Sequence, residues 1–213
     1  MAQKNITLTG DQIEDALQKV HGADSTPTAA SENMVTSGAV KAALDALNTP
    51  LQALQDRVGW AFYQDSAYTA GSPLTSNNAR TQITIDGLGS TTVKDDLPTG
   101  ITDFWSSDKI VPGGVGDAYD IRIDFDAVPQ TSSDFAEVQV DIGTGTPINI
   151  VSRTITFAKT GATRISLGFP LFVGATFLAN GGKVYLDTSV SGDSIYIYNA
   201  SIFIKRDYSR ISV

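Results

Sequence analysis

Three aspartates at even spacing have the clearest potential for chemistry. Asp120, Asp124 and Asp126 lie in a segment where apolar and polar residues alternate, so all three fall on the polar face of one predicted strand. Paired carboxylates of this kind serve glycoside hydrolysis or bind calcium. Arg122 stands between them, however, and such a mixed row is typical of a solvated strand face. We interpret the row as protein surface and predict no metal site there.

Other residue types that commonly carry catalysis are sparse. The chain of 213 residues has no cysteine, which excludes disulfides, thiolate zinc sites and cysteine nucleophiles. Its single histidine, His21, precedes Gly22 at the predicted end of a helix, where capping is the simpler role. The run from Gly113 to Gly116 lacks the lysine and the helix pattern that a phosphate-binding loop requires. The sequence therefore predicts a protein that is not an enzyme and has no cofactor.

Charge and hydropathy exclude further classes of function. The chain has 15 Lys and Arg against 23 Asp and Glu, a net charge of −8, which disfavours binding to nucleic acid or to acidic membranes. No segment reaches the roughly 18 apolar residues of a membrane span. The N-terminus lacks the apolar core of a secretion signal, so we expect synthesis in the cytoplasm and no membrane insertion.

Residues 1–22 are predicted to form a helical anchor segment. Ile13, Leu17 and Val20 recur at spacings of four and three and give a short helix one apolar face. A helix of this length is marginal alone, so its apolar face needs a partner surface. Residues 23–35 follow as a flexible linker, because small and polar residues dominate this segment.

Residues 36–64 carry a regular apolar repeat. The spacing alternates between four and three residues, with polar residues or alanine on both sides of the repeat. Such a narrow heptad seam favours a short coiled-coil stalk, while a single amphipathic helix lying on its own β-domain remains the alternative. Pro50 is expected to kink the helix, or to stop and restart it near Asn48. The seam consists of Val40, Leu44, Leu47, Leu51, Leu54 and Val58, and Ala61 continues it.

The remainder of the chain reads as β-structure. A turn-rich linker, residues 65–80, precedes residues 81–213, where several short segments alternate with period two. About nine or ten strands in such a length are typical of an antiparallel β-sandwich or jelly roll. The strands predicted at 194–198 and 201–204 are the most apolar, which indicates the centre of the sandwich or a subunit interface. Outward tyrosines there, Tyr196 and Tyr198, suit either sugar stacking or such an interface.

The segment PTAASENMVTSGAVKAALDAL, residues 27–47, resembles the linker and helix of tail fibres and other appendage proteins of tailed bacteriophages. The β-domain is similar in strand number and pattern to the trimeric heads of such fibres, including C1q/TNF-like jelly rolls. The matching residues are Pro27, Asn33, Val35, Thr36, Ser37, Gly38, Val40, Ala43 and Leu44.

This resemblance implies a homotrimer in the virion. The N-terminus would contact virion proteins of the tail, neck or capsid, and the head would bind a glycan or protein of the host surface. The sequence assigns no residue to receptor binding. A structural head fibre, decoration or connector protein without receptor binding is the alternative. A depolymerase using Asp120 and Asp124 is disfavoured, because the chain has no room for the long β-helix of tailspike enzymes.

Overall fold

The structure is a computed structural model that describes residues 9–11, 13, 37–131, 134–158 and 160–209. The chain divides into an N-terminal unit that ends at Leu54 and a larger unit that begins at Gln55. Helix α1, Ser37–Gln55, lies in the first unit except for its last residue. The second unit contains eleven described strands and helix α2, Ala175–Asn180. No helix in the described part of the chain is both long and apolar enough to cross a membrane.

Helix α1 corrects two expectations about residues 36–64. Of the two outcomes expected at Pro50, a kink or a stop and restart near Asn48, the stop does not occur, because the helix continues through Pro50. The Thr49 hydroxyl donates to the Asp45 carbonyl oxygen at 3.1 Å. The helix then ends at Gln55, so Val58 lies outside the helix and the predicted stalk is too long. The aromatic segment Gly59–Gln64 is instead a strand, because Gly59 disfavours helix and Trp, Phe and Tyr favour strand.

Few of the N-terminal predictions fall on described residues. Gly10, Asp11 and Ile13 are helical, and the Ile13 amide donates to the Thr9 carbonyl oxygen at 3.1 Å. Ile13 is exposed. Leu17, Val20 and the linker at residues 23–35 lie outside the described residues.

The β-rich unit is built from two antiparallel sheets. One has the order β1-β11-β6-β9, with β2 also paired to β11, and the other has the order β3-β10-β7-β8; β4 and β5 form a separate hairpin. We leave out β2, β4 and β5 and number the remaining eight strands 1 to 8 in chain order. The two sheets then have the strand orders 1-8-3-6 and 2-7-4-5, which together are the strand order of a jelly roll. The strands are β1 Gly59–Gln64, β2 Leu74–Asn77, β3 Arg80–Gln82, β4 Trp105–Ser106, β5 Lys109–Ile110, β6 Ala118–Pro129, β7 Phe135–Asp141, β8 Asn149–Thr156, β9 Thr163–Phe172, β10 Lys183–Asp187 and β11 Ser194–Tyr208.

Inward side chains of both sheets form one core, which confirms the predicted β-sandwich. In β6, Tyr119, Ile121, Ile123 and Phe125 are all buried, as their period-two spacing indicates. They pack in the same cluster as Val138 and Val140 of the opposite sheet and other inward residues. The alternation of apolar and polar residues was sufficient to assign this inner face.

The sandwich begins earlier than the predicted boundary at residue 81. Strands β1 and β2 fall in the segments predicted as stalk and linker, and both pair with β11. Ala61 and Tyr63 of β1 are buried in the core. The three-residue spacing from Val58 to Ala61 fits a helical seam, but an inward strand position can match that spacing by chance.

Strand β11 is central in its sheet, as the apolar C-terminal sequence predicts. It pairs with β1 and β2 on one side and with β6 on the other. The two strands predicted at 194–198 and 201–204 are one strand with a register shift between Tyr198 and Ser201, where Asn199 has a φ of 51°. Asparagine tolerates this left-handed conformation better than most residues, so the strand passes through a bulge instead of a turn.

Candidate functional site

Helix α1 presents an exposed row of apolar side chains. Val40, Leu44, Leu47 and Leu51 are between 46% and 69% exposed. Leu54 belongs to the same helix, whereas Val58 follows the end of the helix and is exposed outside it. The structure therefore brings five of the six predicted interface residues onto one helix. Large apolar side chains aligned on one helix face are suited to packing against another helix.

Two of the three aspartates on β6, Asp124 and Asp126, are paired with arginines. Arg122 Nε lies 2.9 Å from Asp124 Oδ2, and Arg164 Nη1 lies 3.4 Å from Asp126 Oδ1. Burial raises the pKa of Asp120, and the neighbouring carboxylate of Asp207 raises it further. The described residues contain no group of three or more His, Cys, Asp or Glu placed to hold a metal ion. Asp120 is exposed, as expected for a solvated strand face, but Asp124 is buried beside Arg122 and does not fit that interpretation.

A polar cleft of about 410 Å³ lies beside β1 in the β-rich unit. We define it by three elements: Tyr63 of β1, the loop at residues 85–88, and the β4–β5 hairpin with Ser106 and Asp108. Lys94 and Asp103 complete its wall. The cleft combines carboxylates, hydroxyls and an ammonium group around a buried aromatic floor.

Tyr63 holds the floor of the cleft in place. Its hydroxyl donates to Asp103 Oδ1 at 3.0 Å and accepts from the Phe104 amide at 2.8 Å. Burial raises the pKa of Tyr63, so the phenol stays protonated at neutral pH. Beside it, Trp105 Nε1 donates to the Ile85 carbonyl oxygen at 2.7 Å. Both rings are thus fixed by a hydrogen bond as well as by packing.

Lys94 and Asp103 form a charged pair in the wall. Lys94 Nζ lies 3.1 Å from Asp103 Oδ1 and 5.8 Å from the centre of the Tyr63 ring. The Lys94 side chain is 46% exposed and that of Asp103 is 30% exposed, so both can reach a molecule in the cleft. The pair offers a donor and an acceptor side by side.

Two further carboxylates are oriented by backbone amides. Asp86 accepts from Ser66 Oγ at 2.6 Å and from the amides of Ser66 and Leu88, each at 2.9 Å. Burial would raise the pKa of Asp86, but these hydrogen bonds lower it overall. Asp108 Oδ1 accepts from the Ile85 amide at 3.2 Å. The polar groups of the cleft are therefore positioned by the fold.

Sequence reasoning did not find this cleft. Its residues come from β1, from a loop and from a two-residue hairpin turn, which lie far apart in the chain. The turn places Ser107 and Asp108 at φ of 53° and 58°, although glycine or asparagine is the usual signal for such a turn. The loop sequence Asp86-Gly87 was the one local turn signal available.

No protein-family profile and no curated protein sequence matches this chain. Among solved structures it is similar to the Eiger TNF from S. frugiperda, with a TM-score of 0.44 and 10% identity over 73% of this chain and 96% of that chain. It is also similar to the PRD1 vertex protein P5, with a TM-score of 0.40 and 22% identity over 72% of this chain and 73% of that chain. A third structure, described as "CBM4 structure and function", has a TM-score of 0.32 and 16% identity over 67% and 84% of the two chains. At these TM-scores the similarities establish no function, and the jelly-roll assignment rests on the strand order.

Proposed function

We propose that the protein is an oligomeric appendage of a tailed-phage virion that binds a host-surface receptor through its jelly-roll domain. One observation carries the proposal: a helix with an exposed apolar seam precedes a compact β-sandwich in the same chain. The fibre-like segment at residues 27–47 overlaps the start of that helix. The role is non-enzymatic, and the protein is located in the virion.

Self-association as a homotrimer would cover the helical seam. Water-exposed leucines on a helix are stabilised when copies of the helix pack together, since each fully buried leucine contributes about 1.5–3 kcal/mol. Leucine at both core positions of a heptad does not set the number of strands, so the trimer rests on the resemblance to phage fibres.

The β-domain has a second surface suited to self-association. Strands β8 and β9 are the outer strands of the two sheets and lie side by side, since Ile150 and Pro170 line one groove. Ile148, Ile150 and Phe172 are exposed on this side of the sandwich, which we call the β8/β9 flank. Exposed apolar edge strands readily pair with other chains. Contact with a neighbouring copy would cover the β8/β9 flank and prevent such pairing.

The N-terminal segment is proposed to attach the protein to tail, neck or capsid proteins. Its predicted apolar face, Ile13, Leu17 and Val20, has too few residues for a core of its own. A short anchor followed by a linker and a helix suits a protein that is fixed at one end and binds at the other.

Imaging of intact particles tests the proposal. Electron microscopy of the encoding phage, with an antibody against the β-domain, should show label at fixed positions on the virion. Deletion of residues 1–30 should remove the label while leaving the purified protein oligomeric. Absence of label from purified particles would contradict virion attachment. Labelled particles whose purified protein shows no binding to host cells would favour a structural connector or decoration protein.

A further inference from the structure

The polar cleft beside β1 has the dimensions of a small-ligand site. Its volume of about 410 Å³ falls within the range of roughly 300–1,000 Å³ that such sites occupy. It is a concave space with a mixed lining, in which the buried ring of Tyr63 forms part of the floor and Leu88 is 77% exposed. The cleft therefore offers apolar contact as well as hydrogen bonds.

The polar groups of the cleft are arranged so that they can form hydrogen bonds with the hydroxyl groups of a ligand. A hydroxyl donates one hydrogen bond and accepts others, so a sugar ring is best matched by neighbouring acceptors and donors. Asp103 and Lys94 provide this combination, with an acceptor and a donor atom 3.1 Å apart. Ser106 and Ser107 add exposed hydroxyls from the β4–β5 hairpin. Hydrogen bonds to the charged pair are stronger than those between neutral groups.

Charge disfavours the other ligand classes. Three carboxylates, those of Asp86, Asp103 and Asp108, and the single ammonium of Lys94 line the cleft, which therefore repels phosphate and carboxylate groups. A cation is disfavoured because the ammonium of Lys94, 3.1 Å from Asp103 Oδ1, already neutralises that carboxylate, and the described residues include no group of three or more His, Cys, Asp or Glu placed to hold a metal ion. A neutral, polyhydroxylated molecule meets neither difficulty.

The cleft also lies away from the proposed contact between copies. Strands β1 and β3 end the two sheets on the side opposite to β8 and β9. Tyr63 belongs to β1, and Ile85 follows β3 by three residues. A homotrimer assembled through the β8/β9 flank would leave this side of each sandwich open to solvent.

We propose that this cleft binds a neutral saccharide of the host surface. The assignment rests on the proposed receptor-binding function and gives it a site and a ligand class. Lys94 and Asp103 bind ring hydroxyls, Leu88 packs against the apolar side of the sugar, and Tyr63 positions Asp103.

Titration calorimetry and saturation-transfer NMR on the full-length protein test this site. The probes are glucose, galactose, mannose, rhamnose and N-acetylglucosamine, with glucose 6-phosphate, sialic acid, spermidine and Ca²⁺ as charged comparisons. At least one neutral sugar should bind with a dissociation constant of about 1 mM or tighter. Asp103→Asn, which keeps an acceptor for Tyr63, should weaken binding about 10-fold or more. Ser106→Trp, at an exposed position, should fill the cleft and abolish binding.

Asp120→Asn is the matched control, since it removes one exposed carboxylate from the outer face of β6. Binding should be unchanged in this variant, and thermal unfolding should show that all variants are folded. The site is contradicted if no neutral sugar binds, if only the charged probes bind, or if binding survives Asp103→Asn and Ser106→Trp. Loss of binding in Asp120→Asn alone would place the sugar in the groove on the sheet and also contradict it.

The same samples separate this site from the receptor role. Purified protein that blocks phage adsorption but binds no neutral sugar refutes the cleft assignment and leaves the receptor function standing. Purified protein that binds sugar in the cleft but does not affect adsorption supports the cleft and refutes the receptor function.

Discussion

The side chain of Arg206 in the last strand binds the main chain at Arg57, just before the first strand. Arg206 Nε donates to the Arg57 carbonyl oxygen at 2.9 Å, and its Nη2 donates to the Asp56 carbonyl oxygen. Its Nη1 lies 3.7 Å from Asp117 Oδ2, and both charged side chains are buried. The entry to the β-domain is therefore fixed by a residue near the end of the chain.

Removing this guanidinium should destabilise the β-domain strongly. Arg206→Gln leaves the buried carboxylate of Asp117 without its charged partner, and such a loss typically costs about 3–5 kcal/mol. Tyr119 keeps a hydrogen bond to Asp117 at 3.3 Å, because burial raises the pKa of Tyr119 to about 12 and its phenol stays protonated. A neutral phenol supplies no positive charge, so it does not replace the guanidinium. Urea unfolding of the wild type and the variant measures the difference in unfolding free energy.

Arg153→Gln is the matched control for Arg206→Gln. Arg153 is exposed on the edge strand β8, so this variant should change stability by less than about 0.5 kcal/mol. Equal effects of the two substitutions would contradict the role assigned to Arg206.

The boundary of the folded β-domain lies near residue 55. A fragment of residues 55–213 retains β1 and the carbonyl oxygens that Arg206 binds, so it should fold with a cooperative thermal transition. A fragment of residues 66–213 loses Ala61 and Tyr63 from the core and leaves one side of β11 unpaired over residues 201–206. It should be unfolded or aggregated by circular dichroism and gel filtration. Equal stability of both fragments would contradict this boundary.

Charges in the helical seam should dissociate the oligomer. Leu44→Asp combined with Leu47→Asp places two carboxylates per chain at positions that pack together in the proposed coiled coil. Sedimentation equilibrium should show the wild type as a trimer and this variant as a monomer. If the variant remains a trimer, the β-domain and not the helix holds the oligomer together.

Ala42→Asp with Ala46→Asp is the control for the seam. It adds the same charge to the same helix at exposed positions outside the seam. This variant should remain a trimer. Dissociation of the control would mean that the charge or the loss of helix propensity, and not the seam, explains the result.

Asp141 should make stability depend on pH in the acidic range. Burial would raise its pKa, but the amides of Gly143 and Ile148 and the guanidinium of Arg80 lower it below the ordinary value of 3.8. The folded state therefore binds a proton less readily than the unfolded chain. The carboxylate stabilises the fold at any pH above 3.8, and this contribution decreases as the pH falls through the folded pKa.

Asp141→Asn should accordingly cost about 1.5–3 kcal/mol of unfolding free energy at neutral pH. The difference in unfolding free energy between the wild type and the variant should become smaller below a pH of about 4. Urea unfolding of both proteins at neutral and acidic pH measures this difference. A difference that stays constant or widens on acidification would contradict the lowered pKa.

The sequence was sufficient to predict the β-sandwich and its inner face. Alternation in β6 and β11 assigns Ile121, Ile123, Ile195 and Ile197 to the core, and all four are buried there. The central position of β11 also follows from its apolar sequence, since an exposed strand of this composition would aggregate.

The domain boundary and the cleft needed the structure. The apolar spacing through Val58 and Ala61 fits a heptad, so a helix and a strand could not be separated by periodicity at that point. The cleft depends on contacts such as that between Tyr63 and Asp103, which are 40 residues apart in the chain. Pairing between β1 and β11 positions Tyr63, and the β4–β5 hairpin, which Asp103 precedes, positions its partner. Local sequence specifies neither of these pairings.

Phage adsorption in the presence of purified protein is the most direct test of the proposed function. Host cells incubated with the wild-type protein should adsorb the encoding phage more slowly, because the added protein occupies the receptors. The monomeric Leu44→Asp, Leu47→Asp variant should need about 100-fold or more higher concentration for the same inhibition, since it lacks multivalent contact. Adsorption that is unchanged at saturating wild-type protein would contradict the receptor-binding role.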